Sequence, residues 1–424
     1  MQTDLVKLFI ESEALNQSLH LLAKFAPLWV PFILFSVFYR LWLVYVRAKA
    51  IHKSGSVLLE IRIPKEVTKS PAAMEMVFTS LHQKAGSTYH DTFLNGKIRP
   101  WFSFELVSIE GKVRFFVWTW PKFKNLLEAQ IYAQYPTIEI TEVKDDYTKK
   151  FEMTSGKYSL FGVQFQSSNE HVFPIKTYID YGMDKDPKEE FKIEPMSPIL
   201  EYLGSMRKGQ NAMYQIIIQA HRKLSFLDDG YFKWGSFINS EKPDWKELAK
   251  AQITKIREEG KVALDEDAET QMKVIHLTKG QTDKITAIER SLDKNPFECV
   301  VRGIYICESE KFDGNNISGL LGSFNQYNSN NLNGFKIGFT TDFDYPYLSD
   351  PFGTRLVKLK RKILDAYKRR SYFQSPYKYW KSKPFILNTE ELATIFHFPG
   401  KVVETPSFER ISSKKSEAPA NLPI

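Results

Sequence analysis

Cysteine is almost missing from this chain, with two in 424 residues, Cys299 and Cys307. Both lie in one apolar run, Phe297 to Cys307, where an extended strand would hold them about 26 Å apart at ~3.3 Å per residue. They cannot pair, so a disulfide framework is excluded and two buried thiols are expected. The signatures of common enzymes are missing too. Gly-Lys occurs at 96, 111, 156, 260 and 400, but Ile, Val, Tyr, Val and Val follow. Without the next Ser or Thr hydroxyl for Mg²⁺ and the glycine nest there is no P-loop. The eight histidines (20, 52, 82, 90, 171, 221, 276 and 397) show no H-x-x-x-H spacing, and neither C-x-x-C nor G-x-S-x-G occurs. Neither a zinc site nor a nucleophile elbow is expected. The acid pairs Asp184/Asp186, Asp265/Asp267 and Asp342/Asp344 read as solvated loop faces, at most hints of a cation. No catalytic residue, cofactor or metal ligand is assigned, and a protein that is not an enzyme is expected.

What is present is a globular composition, 43% hydrophobic and 14% aromatic with a net charge of +8. At roughly 100–200 residues per domain it allows two or three domains. Phe25 to Val46 is a 22-residue run with one charge, Arg40. As a helix it covers about 33 Å, enough for a bilayer core of ~30 Å. A transmembrane helix over 25–46 is therefore expected, after an extracytoplasmic or interfacial segment 1–24 in which Leu5, Leu8, Phe9 and Ile10 recur at partly helical spacing. A cleaved signal peptide fits less well, because the basic residues follow the run instead of preceding it. The alternative is a buried core helix of a soluble protein. Phe25, Trp29, Phe32 and Phe35 would meet lipid, Arg40 would snorkel, and Trp42 and Tyr45 would sit at the interface. Arg47, Lys49 and Lys53 follow immediately, which places the bulk of the chain on the cytoplasmic side of an inner membrane, in a single pass.

Val57 to Val143 reads as strand, helix, strand, strand, helix, strand. Val57, Leu59, Ile61 and Ile63 share one strand face. Ser70-Pro71 opens a helix carrying Met74, Val77, Phe78 and Leu81, and Glu110-Gly111 joins two strands in a tight hairpin. A helix with Phe123, Leu127 and Ile131 stops before Pro136. This β-α-β-β-α-β order is the ferredoxin-like split βαβ motif. It recurs over 158–342, with a strand near Leu160–Gln166 or Phe191–Ile193, a helix opened by Ser197-Pro198, strands at Met213–Ala220 and Phe297–Cys307, a helix with Ile317, Leu320, Leu321 and Phe324, and a strand Phe335–Phe339. Duplication and coincidence both account for the recurrence. Helices at Trp245–Gly260 and Thr282–Leu292 fall in an insertion, 221–295. The expected fold is α+β: an N-terminal transmembrane helix, two ferredoxin-like units (55–145 and 158–342), a basic helical segment 345–403 and an extended tail 404–424.

The basic segment concentrates charge, with Arg355, Lys358, Lys360, Arg361, Lys362, Lys368, Arg369, Arg370, Lys378, Lys381 and Lys383 against one acid, Asp365. Interleaved Tyr367, Tyr372, Phe373, Tyr377, Tyr379 and Trp380 suit a groove for phosphates and stacked bases. The same charges suit anionic lipid head groups, a protein partner or a plain solvated helix. Phe116, Trp118 and Trp120 on one strand are expected to pack inside instead of forming a platform. Asn388 with Glu391 makes a capping box for a short helix ended by Pro399-Gly400.

Four phrases, SPAAMEMVFTSLH, EAQIYAQYPTIEITEV, NTEELATIFHFPG and APANLP, together resemble the membrane-proximal, non-ATPase half of conjugation and type IV secretion coupling-type ATPases of the HerA/FtsK and TraG/TraD class, as found in bacteria of the candidate phyla radiation. The likeness covers most of 55–424 and is most specific in 71–143 and 388–423. In such proteins a Pro-Asn-Leu-Pro-like linker leads into a P-loop motor. Here the P-loop is missing, so either a separate chain carries the motor or it lies beyond Ile424. The resemblance implies a membrane-anchored transport component that docks a P-loop ATPase in trans, with DNA as a candidate cargo and a homo-oligomer left open. The rival expectation is a stand-alone membrane-bound nucleic-acid- or lipid-binding protein.

Overall fold

In a computed structural model the described residues are 13–64, 69–83, 88–153, 156–184, 193–223, 227–228, 231–232, 243–263, 273–275, 277–341, 350 and 352–400. The expected tail 404–424, the Phe191–Ile193 strand apart from Ile193, and most residues of the three acid pairs lie outside them. The chain divides into two compact units, one of Met1–Lys53, Ser87–Ile98 and Phe226–Phe237, the other of Ser54–Gly86, Arg99–Ser225 and Ile238–Ile424.

The first unit is built on helices α1 (Glu13–Lys24) and α2 (Ala26–Ser54). α2 is long and apolar enough to cross a membrane. Its outward side chains are bare, with Leu28 73% exposed. Phe25 precedes the helix at the turn from α1, and Trp29, Phe32, Phe35, Arg40 and Tyr45 are all exposed on α2. Trp42 differs. Its indole N–H donates to Phe93 O at 3.0 Å, and its ring lies 6.1 Å from that of Phe93, so the one-turn helix Tyr89–Phe93 occupies a ring expected at a lipid interface. Gly96 permits this approach: at φ +63°, a Cβ there would fall 2.5 Å from Val46 O.

The second unit holds a nine-stranded antiparallel sheet among the described residues. Its strands are β1 (Val57–Arg62), β2 (Trp101–Ile109), β3 (Lys112–Thr119), β4 (Glu139–Glu142), β5 (Tyr158–Ser167), β6 (Gln210–Ala220), β7 (Pro296–Glu308), β8 (Phe335–Thr340) and β9 (Phe385–Asn388). They lie in the order β8-β5-β7-β6-β2-β3-β1-β4, with β9 paired to the start of β7. The expected pair of ferredoxin-like units is corrected here. β2 pairs with β6 from Trp101↔Gln219 to Ile109↔Asn211, so one sheet runs through both halves. In a four-stranded unit β2 and β6 would be open edges with unpaired N–H and C=O groups. Pairing satisfies both, and every residue of β6 is buried.

The helices follow from apolar spacing. α3 (Ala72–Leu81), α4 (Pro121–Gln134), α5 (Ser197–Gly204), α6 (Trp245–Glu259), α7 (Lys279–Leu292), α8 (Asn315–Gly322), α9 (Thr354–Lys368) and α10 (Thr389–Ile395) complete the unit. Met74, Val77, Phe78 and Leu81 of α3, Leu127 and Ile131 of α4, Leu200 of α5, Leu320 of α8 and Leu392 of α10 share one core with Phe104, Phe115, Tyr214 and Val301 of the sheet. That is the helical face. α6 and α7 enclose a satellite core of Ala249, Ile253, Ile256, Ile285 and Ile288. Pro71 lies at the N-cap of α3, with no side-chain cap from the serine before it. Asn388 and Glu391 form the expected capping box on α10. Phe116, Trp118 and Trp120 are buried, Trp118 stacking on Trp101 at 5.8 Å and Phe116 on Tyr147 at 4.8 Å. Cys299 and Cys307 are buried and unpaired.

Glu110 and Gly111 both have positive φ, 53° and 88°, as a two-residue hairpin of matching twist requires. A Cβ on Gly111 would meet Met206 O at 2.6 Å. Gly111→Ala is expected to cost about 2–3 kcal/mol through strain and this clash; an unchanged midpoint in thermal unfolding would contradict the register of this turn.

Candidate functional site

α9 carries the segment richest in basic residues, and its placement starts from the sequence. Leu359, Ile363, Ala366 and Tyr367, at i, i+4, i+7 and i+8, are buried, because that spacing gives one apolar face to lay on the sheet. Gly162 of β5 makes room: a Cβ there would come within 2.6 Å of Ile363 Cδ1. The N-terminus is fixed by Asp350, whose carboxylate accepts from Arg355 N at 3.0 Å and Leu356 N at 3.1 Å. With the apolar face seated, Arg355, Lys358, Arg361 and Lys362 are left exposed. None of the four is paired with a carboxylate among the described residues. On the same helix Val357 is 42% exposed, and Phe352, immediately before the N-cap Gly353, is 88% exposed.

The eleven basic residues divide by role. Lys360 and Lys368 are half-buried and Lys383 is exposed. Arg369 pairs with Asp365 at 2.8 Å. Lys378 lies over the Tyr379 ring at 5.5 Å, and Lys381 over Phe339 at 5.0 Å. The helix ends at Lys368, and the chain then turns through positive φ at Arg370, Tyr379 and Lys381, so 369–384 is an irregular strap and not the basic helix expected. Most aromatics of α9 and the strap are packed against the protein. Tyr367, Tyr372 and Phe373 are buried, the Tyr377 hydroxyl donates to Asp365 at 2.7 Å, and Trp380 meets Phe339 edge-on at 5.5 Å.

Arg370 is the exception among the cations, since it is buried on the sheet face opposite the main core. Its Nε and Nη2 donate to the Glu105 carboxylate at 2.9 and 3.0 Å, and it also pairs with Asp146. Glu105, itself fully buried, accepts further from Ser103 Oγ, Tyr147 Oη and Gln215 Nε2, each at 2.7 Å. Tyr147 and Tyr367 share a hydroxyl contact of 2.8 Å. Burial pushes both phenols well above their ordinary range, aided by the Glu105 charge. Burial opposes ionisation of Asp146, yet the Arg370 guanidinium outweighs it and holds the carboxyl below its usual value. Arg302, whose Nη2 donates to Ser371 O at 3.0 Å, is pushed down by burial to about 10.

Two further polar clusters brace the fold. His221 bridges Asp244 at 2.9 Å and Glu298 at 3.2 Å, and Arg99 meets Glu298 from the other side at 3.2 Å. Burial would lower His221, but hydrogen bonds to Glu298 and Asp244 raise it. On α10, Glu391 accepts from Asn388 N and Ile175 N, each at 2.8 Å, while Glu390 meets Arg290 at 3.1 Å and Lys294 meets Glu75 at 2.6 Å. Sequence reasoning missed the first two clusters and, of the third, found only the Asn388–Glu391 capping box. The available signal was a polar residue inside an apolar strand run, as at Glu105, Gln215, Glu298 and Arg302. Among the described residues no group of three or more His, Cys, Asp or Glu is placed to hold a metal ion.

Chemically, these buried groups act on one another, whereas the four α9 cations face solvent and could meet an anionic surface. A comparison with curated proteins finds no match. A family profile described as a domain of unknown function, DUF8128, matches residues 47–410, which spans both halves of the sheet, the strap and α10. The chain belongs to the DUF8128 family.

Proposed function

We propose that this protein is a membrane-anchored, non-catalytic docking subunit of a secretion- or conjugation-type translocation machine whose P-loop ATPase acts in trans. The observation that carries the reading is α2, a helix of bilayer-spanning length whose apolar side chains Leu28, Phe32, Leu34, Phe35 and Leu41 are turned outward. Such a face needs an apolar environment. Arg47, Lys49 and Lys53 lie at its C-terminal end, after the apolar run, which favours a cytoplasmic location for the sheet-bearing unit. The resemblance of 71–143 and 388–423 to the region before a translocation motor supplies the partner class. DNA is the candidate cargo, and self-association is compatible with the reading.

The test is affinity purification of the detergent-solubilised full chain from its native cells beside a chain ending at Glu404, with partners read by mass spectrometry. Recovery of a P-loop ATPase that vanishes with residues 405–424 is the expected result. Recovery of no ATPase and no secretion component by either chain would overturn it. The basic face of α9 favours a second reading, a stand-alone membrane protein that binds an anionic polymer or surface.

A further inference from the structure

We propose that the exposed face of α9, led by Phe352, rests on an anionic lipid surface, so that the sheet-bearing unit touches the membrane at a place of its own. This rests on the reading that α2 anchors the chain, since anchoring keeps the unit near a bilayer. The face carries Arg355, Lys358, Arg361 and Lys362, all exposed and spaced at i, i+3, i+6 and i+7 along one side of the helix. Among the described residues, the two acids nearest it in sequence are engaged elsewhere. Asp350 caps the helix N-terminus, and Asp365 is held by Arg369 and Tyr377. A solvated cationic helix is ordinarily laced with Glu and Asp at i+4, and this face is not.

The second observation is apolar. Phe352, 88% exposed, stands immediately before Gly353, the left-handed N-cap residue of α9, and Val357 is exposed among the cations. An exposed aromatic ring next in sequence to a basic amphipathic helix is the composition of an interfacial contact, in which the ring enters the head-group boundary and the cations meet phosphates. Nucleic acid is the weaker match. Stacking a run of bases needs several open rings, and among the described aromatics from Phe352 to Trp380 only Phe352 is exposed, since Tyr367, Tyr372 and Phe373 are buried and Trp380 is packed on Phe339.

The test uses the full chain with Val357→Cys carrying an environment-sensitive nitrobenzoxadiazole dye; Cys299 and Cys307, both 0% exposed, are shielded from the reagent. The chain is reconstituted in phosphatidylcholine vesicles with and without phosphatidylglycerol, and flotation is scored alongside. Expected are a blue-shifted emission and quenching by brominated acyl chains in the anionic vesicles alone, both lost in 0.5 M salt. Combining Lys358→Gln, Arg361→Gln and Lys362→Gln should lower the ratio of docked to undocked unit on the order of 100-fold, at about fivefold per basic residue. Identical emission in the two vesicle types would overturn the proposal. So would a salt-sensitive shift produced by duplex DNA on neutral vesicles with none from anionic lipid, which would assign the face to nucleic acid. Flotation separates the two readings: a chain that floats with neutral vesicles yet carries an indifferent dye retains the anchor and loses the α9 contact. A chain that floats with anionic vesicles alone and shifts its dye does the reverse.

Discussion

Arg370→Met is expected to destabilise the sheet-bearing unit by about 3–5 kcal/mol, because it leaves the Glu105 carboxylate buried without its cation. Glu105 would keep Ser103, Tyr147 and Gln215 as donors, but hydrogen bonds from neutral groups replace only part of a two-pronged guanidinium. Arg370→Lys should recover little, since a single ammonium cannot make both contacts to Glu105 and also reach Asp146. The loss should be seen as an earlier transition in urea, followed by tryptophan emission. Trp101 reports directly, since its indole N–H donates to Arg370 O at 3.0 Å. Arg361→Met, on the exposed face of the same segment, should move the midpoint by less than about 0.5 kcal/mol. Equal effects of the two substitutions would mean that the buried pair does not hold the strap.

The second large effect concerns pH. Burial raises the Glu391 carboxyl from its ordinary 4.5 to about 8, against the two backbone N–H groups that favour the charged form. The folded state therefore holds a proton that the unfolded state releases, and the sign follows. Stability from this group is complete below about pH 4.5, falls as pH rises, and levels off above about pH 8, a loss of about 3–5 kcal/mol. Glu391→Gln abolishes this titration while retaining a residue suited to the capping box. The variant should be slightly less stable than the parent near pH 5, by about 1 kcal/mol for one lost backbone hydrogen bond. It should be more stable near pH 8. Comparing the two chains at each pH cancels the contributions of His221 and Asp146, neither of which acts on Glu391. A difference that stays constant from pH 5 to 8 would show that Glu391 does not titrate in this window.

Local signals were legible in the sequence. The period of Val57 to Ile63, the Glu110-Gly111 turn, the stop before Pro136, the helices at Trp245 and Thr282 and the Asn388–Glu391 box are each set by neighbours within a few residues, and the chain adopts them with shifts of a few positions. Edge pairing was not legible. A strand whose faces are both apolar announces burial, but nothing in Phe102 or Phe104 says that Ile218 and Ile216 lie opposite. Hence two units were expected where one sheet runs through. The same limit hid Arg370. In composition it is one of eleven basic residues in a polar stretch, and only its backbone at φ 48° and the distant Glu105 separate it from the solvent-facing Arg361. For the outward apolar side chains of α2 the sequence carried most of the information, because exposure along one helix follows spacing within it, with Trp42, covered by Phe93, as the exception.

Glu105 and Arg370 stand 265 positions apart, which gives the pair a meaning in time as well as in space. At a synthesis rate of about 5–20 residues per second, Glu105 leaves the ribosome roughly 10–50 s before its cation. Gln215, which lies opposite Glu105 on β6, emerges less than halfway through that interval, so β2 is an open edge only at first, while the carboxylate lacks its guanidinium throughout. Until β6 emerges the nascent chain must hold an open, half-apolar edge in a crowded setting. Completion of the sheet is thereby reserved for the last stretch of translation, when the strap closes over it.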